Sequence, residues 1–225
     1  MFHNTDIANQ PIFYLFIAFT FILVLGYYWG NRANNKIYLS ALNILTEIFK
    51  PKDQTFTRIG GMTGYHANII PENTFLIKQV DATILLLPRH SWLYFPFSYI
   101  FMRHDKFYIN IEFKPKKFNL KEGHIINKNY YKFRCPKITN EINLQKEDYI
   151  WGDKKYLIYY EDQKTKNDLL KIITQIKNPE TIKHIAIVPD NKRIHLFLIP
   201  EYKKIARPLD LIYKWIFSIA NNNME

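Results

Sequence analysis

From Ile12 to Trp29 the chain reads "IFYLFIAFTFILVLGYYW", eighteen residues without a charge. At about 1.5 Å of rise per residue a helix of this length spans ~27 Å, close to the ~30 Å hydrocarbon core of a bilayer. A helix facing water keeps one polar side; this run has none, so its place is inside protein or inside lipid. Tyr27, Tyr28 and Trp29 gather at one end, where the aromatic belt of a membrane interface sits, and this favours lipid. A secretory signal is the competing reading. It is disfavoured because "MFHNTDIANQ" carries no Lys or Arg and no small-x-small cleavage pattern follows Val24. The run therefore reads as an uncleaved anchor, with Ile12, Phe16, Phe19, Ile22, Leu25 and Trp29 facing the bilayer.

Charge suggests the direction of crossing. Asp6 is the only charge ahead of the span, whereas Arg32, Lys36, Lys50 and Lys52 follow it. The positive-inside rule then places the N-terminus outside and the remaining chain in the cytosol, at the endoplasmic reticulum in a eukaryote or the plasma membrane in an archaeon. A single cysteine, Cys135, cannot form an internal disulfide and agrees with a reducing compartment. The division is residues 1–30 as N-terminal segment and anchor, and 31–225 as one cytosolic domain.

Of 225 residues, 31 are Lys or Arg and 20 are Asp or Glu, a formal charge of +11. A basic domain tethered to a membrane attracts anionic headgroups and the phosphates of RNA. Arg32 and Lys36 are the candidate headgroup contacts. Catalysis finds little support: six histidines follow the anchor (His66, His90, His104, His124, His184 and His195), with no HExxH, paired CxxC, P-loop or GxSxG. "RHD" at 103–105 is a lone dipeptide pattern, and "GGMTG" lacks the spacing of a nucleotide loop. No catalytic residue, metal ligand or cofactor is assigned, and His184 and His195, in expected strands, are read as facing solvent or pairing locally.

Beyond the anchor, apolar positions at helical spacing (Tyr38, Ala41, Leu42, Leu45, Ile48, Phe49) continue a helix that stops before Pro51. "TFTRI" and "YHANII" flank a glycine-rich turn and predict a hairpin. "TFLIKQVDATILLL" and "KFYINIEF" predict strands, and the lysine-rich stretch 114–129 predicts an exposed loop. "YYKFRC" is read as a strand, and "KYLIYYED" as a strand leading into a helix over "KTKNDLLKIITQIKNPE". "TIKHIAIVP" and "RIHLFLIP" around "DNK" predict a hairpin, followed by a final helix over 208–220. The fold class is α+β: one transmembrane helix, then a mixed, mainly antiparallel sheet with packed helices.

An anchor ending in "WGNRANNKIYLSALNILTEIF", the section "FLIKQVDATILLLPRHSWLYFPFSYIFMRHDKFYINIEFK", the unit "YLIYYEDQKTKNDLLKIITQIKN" and the closing "IAIVPDNKRIHLFLIPEYKKIARPLDLIYKWIFSIAN" together resemble the calumin family. That family is the single-pass, coiled-coil-domain-containing subunit of the PAT complex beside the Sec translocon. With only ten residues before Pro11 and "NNNME" after the last helix, the likeness is to a minimal member without the acidic N-terminal segment and charged C-terminal tail. It implies a non-enzymatic, chaperone-like adaptor in multipass membrane-protein insertion. The implied partners are the Sec translocon and other insertion factors, the ribosome through its RNA, anionic membrane lipids, and a small multipass protein; Gly26, Tyr27 and Tyr28 would permit such a protein to pair with the anchor, but nothing in the sequence demands it.

Lys114, Lys116, Lys117 and Lys121 are the candidate contacts to ribosomal RNA or an acidic protein patch. In "HSWLYFPFSYIFMRH" the aromatics read first as ordinary core, with a surface touching membrane or client segments, Trp92, Phe95 and Phe97 foremost, as the functional alternative. Pro96 argues against an unbroken helix there. Two other functions stay open: a membrane-surface lipid-binding or scaffold protein unrelated to translocation, and a membrane-bound hydrolase.

Overall fold

The computed structural model describes residues 10–72, 75–114, 120–134 and 138–221, without the side chains of 133, 134 and 221. The fold is α+β. Helix α1 (Pro11–Phe49) is one continuous rod of 39 residues, begun by proline at its first position and closed at Lys50, whose left-handed backbone (φ 42°) lets its N–H reach the Thr46 carbonyl. It is long and apolar enough over its first half to cross a membrane.

Among the described residues nine strands form one sheet: β1 (Pro51–Arg58), β2 (Gly64–Pro71), β3 (Ile77–Leu85), β4 (Lys106–Phe113), β5 (Gly123–Asn127), β6 (Gln145–Trp151), β7 (Lys154–Tyr160), β8 (Ile182–Val188) and β9 (Arg193–Leu198). The order across the sheet is β1-β2-β3-β4-β9-β8-β5-β7-β6, with every neighbouring pair antiparallel. The remaining helices are α2 (Phe95–Met102), α3 (Lys128–Arg134), α4 (Gln163–Gln175) and α5 (Ala206–Asn221).

Alternation decides which face is dry. In β4, Phe107, Ile109, Ile111 and Phe113 are buried, while Tyr108, Asn110 and Glu112 between them are half-buried on the opposite side. The dry face lies under Ala41, Leu42, Leu45 and Phe49 of α1, Leu169, Ile172 and Ile173 of α4, and Leu209, Ile212, Trp215 and Ile216 of α5. Each leucine, isoleucine and phenylalanine among them contributes about 1.5–3 kcal/mol by leaving water. Their polar atoms are matched: the Trp215 indole N–H donates to the Asp168 carbonyl at 2.7 Å.

Two expectations fail. The stretch read as a loop over 114–129 contains β5, which is buried at all five positions and sits between β8 and β7 inside the sheet. Its lysines belong to the flanks, whereas His-Ile-Ile in the middle pairs on both edges. The stretch read as a strand at 130–135 is instead helix α3 as far as Arg134; Cys135 lies outside the described residues. The Asn127 side chain accepts from the Tyr130 N–H at 3.4 Å as the helix begins, and Tyr130 and Tyr131 lie over Ile126, Leu157 and Tyr159.

Strand direction gives the domain two ends. Arg58, Gly64, Leu85, Lys106, Ile182 and Leu198 share the end nearest the anchor, because their registers pair across the sheet in that sense and Gly30 of α1 meets Arg89 just beyond β3. Phe49, Pro51, Pro71 and Phe113 lie at the distal end.

Candidate functional site

The anchor end is built where α1 leaves its apolar stretch. Gly26, Gly30 and Asn34 recur every four residues, so they form one narrow stripe along the helix, and all three are buried. Against that stripe lies the chain between β3 and α2. A Cβ on Gly30 would stand 2.1 Å from the Arg89 carbonyl oxygen, and one on Gly26 would stand 2.4 Å from the Trp92 ring. Only glycine permits this approach. Gly26 is thus covered by the chain's own Trp92.

Polar bonds lock the joint. The Asn34 side-chain amide donates to the Leu87 carbonyl at 2.9 Å and accepts from the Arg89 guanidinium at 3.0 Å. Arg89 grips Asp105 with two bonds of 2.8 and 2.7 Å, and the Leu87 N–H donates to the same carboxylate at 2.7 Å. Asp105 is nearly buried, with 7% of its side chain exposed, so the bidentate fork offsets its desolvation. The Tyr27 hydroxyl reaches the Met62 sulfur at 3.6 Å, bringing the β1–β2 turn to the same level.

Around this joint the surface is apolar. Ile12, Phe16, Phe19, Ile22 and Trp29 are exposed along α1, and Leu25 is half-buried. Beside them Trp92, Leu93, Tyr94, Phe97, Tyr99, Ile100 and Phe101 are also exposed, with Phe101 at 72%. Phe95 is half-buried, and Trp92 stands 6.5 Å from Trp29, ring centre to ring centre. The 92–101 aromatics are therefore not core. Pro96 falls in the first turn of α2, where a proline costs no hydrogen bond, so the helix forms after all.

The remaining candidates scatter. Arg32 is exposed, and the Lys36 ammonium lies 4.3 Å above the Tyr202 ring. Lys114 is exposed at the distal end, whereas Lys121 is ion-paired with Glu161 at 2.7 Å, and that hydrogen bond raises its pKa. Lys116 and Lys117 lie outside the described residues.

A second concave feature escaped the sequence reading. On the sheet face opposite α1, a groove of about 470 Å³ is lined by Tyr108, Glu122, His124, His184, Arg193 and His195, among others. His124 Nδ1 lies 3.2 Å from His184 Nε2, His124 Nε2 lies 3.0 Å from Glu122, and His195 Nδ1 lies 2.8 Å from the Asn110 side-chain oxygen. The histidines do pair locally, but His184 is buried rather than facing solvent. Burial, more than any neighbour, holds His195 down to about 4 and His184 well below its ordinary range; it also lowers His124 against the opposing pull of Glu122. The signal was spread over three strands and became visible only in the register. Among the described residues no group of three His, Cys, Asp or Glu is placed to hold a metal ion.

No model of a known protein family matches the chain, and no curated protein matches it.

Proposed function

We propose that this protein is a single-pass membrane adaptor. Its helix α1 crosses the bilayer with the N-terminus outside, and the sheet domain stands on the cytosolic face to bind partner polypeptides there without chemistry of its own. The observation that carries the reading is the joint at Gly26, Gly30 and Asn34. It fixes the domain to the anchor and sets the exposed 92–101 aromatics level with the end of the span. Aromatic side chains at that depth enter the interfacial layer or meet the flank of another membrane segment. A domain held this way gains effective concentration toward anything else in the membrane, so weak contacts suffice.

The partners proposed are the Sec translocon and other insertion factors, with a client or small multipass subunit against Trp92 and Phe97, anionic lipids at Arg32 and Lys36, and ribosomal RNA at Lys114, Lys116, Lys117 and Lys121. That choice comes from the resemblance to the calumin family. A lipid-binding scaffold is the second reading, favoured by the same exposed aromatics.

The test is a mild-detergent pulldown of the tagged full-length protein from its native membrane, against an anchor-only control. Translocon subunits, insertion factors or ribosomal proteins enriched over the control and lost in Trp92→Ala/Phe97→Ala support the adaptor. Co-purifying anionic lipid without such proteins supports the scaffold and overturns it.

A further inference from the structure

At the anchor end, between the C-terminus of α4 and the N-terminus of α5, lies a cavity of about 290 Å³. Four cations line it, Lys177, Lys203, Lys204 and Arg207, against one acid, Glu180. Helix α5 is 16 residues long and has no acidic side chain in its first turn, so the positive end of its dipole faces the cavity without an internal anion.

The independent observation is Thr181. This residue lines the same cavity and is 3% exposed, and its hydroxyl is buried without a hydrogen-bond partner. A buried hydroxyl in that state is costly and rare, and a ligand oxygen removes the cost. The wall that carries it is rigid. The Trp151 indole N–H donates to the Ile176 carbonyl at 2.6 Å, the Tyr156 hydroxyl contacts the Pro179 and Ile182 carbonyls at 2.9 Å each, and the Ile199 N–H donates to the Thr181 carbonyl at 2.7 Å. Lys204 is tied to Glu201 at 2.8 Å and the Lys203 ammonium lies 5.4 Å from the Tyr202 ring, leaving Lys177 and Arg207 as the exposed cations given to the ligand.

We propose that this cavity is a phosphate-ester site: the Arg207 fork and Lys177 hold the anionic oxygens, the Thr181 hydroxyl donates to one of them, and the alcohol that carries the phosphate fills the rest. Arg and Thr suit phosphate because the fork and the hydroxyl meet tetrahedral oxygens at hydrogen-bond distance. Tyr202, two residues before Lys204, packs under Lys36, which follows Trp29 by seven residues or ~10 Å of helix. The cavity therefore opens within reach of a headgroup layer, and the phosphate comes from a lipid headgroup or a soluble ester. The site itself stands without the adaptor reading; only the lipid as its source rests on the anchor crossing a membrane.

The experiment uses the full-length protein. In neutral detergent at constant ionic strength, inorganic phosphate is titrated while thermal unfolding is followed; in parallel, the protein is placed in nanodiscs of phosphatidylcholine with or without phosphatidic acid. A ligand bound only by the folded state raises the melting temperature with concentration. Lys177→Gln/Arg207→Gln alters exposed side chains only and is expected to weaken binding roughly tenfold or more. Thr181→Val is expected to raise the melting temperature without phosphate and to weaken binding by roughly threefold to tenfold. Stabilisation by phosphatidic acid but not by free phosphate assigns the lipid, and the reverse assigns a soluble ester. Stabilisation that is the same in both variants as in the wild type, or absent with every probe, overturns the site, whatever the pulldown of partners gives.

Discussion

The two halves of helix α1 belong to one unbroken rod and meet opposite surroundings. Residues 12–29 are apolar on every side, and most stay exposed; residues 37–49 are apolar along one stripe, and Ala41, Leu42, Leu45 and Phe49 vanish into the sheet's core. Composition alone does not separate them. What separates them is whether the apolar positions leave a polar side, because a one-sided stripe is satisfied by protein and an all-round surface asks for a different solvent. Between the halves, the Gly26–Gly30–Asn34 stripe is neither: it is small, and it is filled by backbone and Trp92.

The comparison breaks most severely at its hinge. Arg89→Ala leaves the nearly buried Asp105 carboxylate without its charge partner and is expected to cost about 3–5 kcal/mol, read from denaturant unfolding of the full-length protein in detergent. Within the buried half, Leu45→Ala is expected to cost about 2–5 kcal/mol in the same assay. Phe16→Ala in the exposed half should leave domain unfolding within about 0.5 kcal/mol, and equal losses from the two would erase the distinction. Gly30→Ala forces a methyl onto the Arg89 carbonyl and should cost about 1–3 kcal/mol, with faster proteolysis between β3 and β4.

A pH dependence separates the sheet's two faces. Burial depresses His195 to about 4 and His184 well below its ordinary range, so the unfolded chain takes up protons first as pH falls through about 6.5. Each of these two histidines then removes about 1.4 kcal/mol of stability per pH unit, the share of His195 being lost by pH ~4. Replacing His195 with Gln should flatten that slope, whereas changes on the α1 face should leave it intact.

Much of the fold was legible because its periodicities are local. The anchor run, the alternation of "KFYINIEF", the hairpin around "DNK" and the two last helices follow from spacing within ten to twenty residues. Strand β5 was hidden because it is short and flanked by lysines, and its burial comes from neighbours β8 and β7 that lie far along the chain. Strand β6, "QKEDYIW", is an edge strand with charges facing water, so no alternation marked it. Helix α3 was misread because tyrosines favour strands in isolation, and tertiary cover over β5 and β7 outweighed that preference. At the site, the aromatics of 92–101 were visible as residues but not as surface. The meaning of Gly26 and Gly30 depends on Arg89 and Trp92, about sixty positions away.

The most direct test of the seated domain uses its four tryptophans. Trp29 and Trp92 lie exposed at the anchor end, while Trp151 and Trp215 are 3% and 2% exposed in the core. In liposomes containing lipids brominated near the headgroup, fluorescence of the full-length protein should be quenched. Trp29→Phe and Trp92→Phe should each remove part of that quenching, and together nearly all of it. If Trp92→Phe leaves the quenching unchanged, the aromatic segment does not touch the bilayer, and the membrane-seated adaptor is wrong.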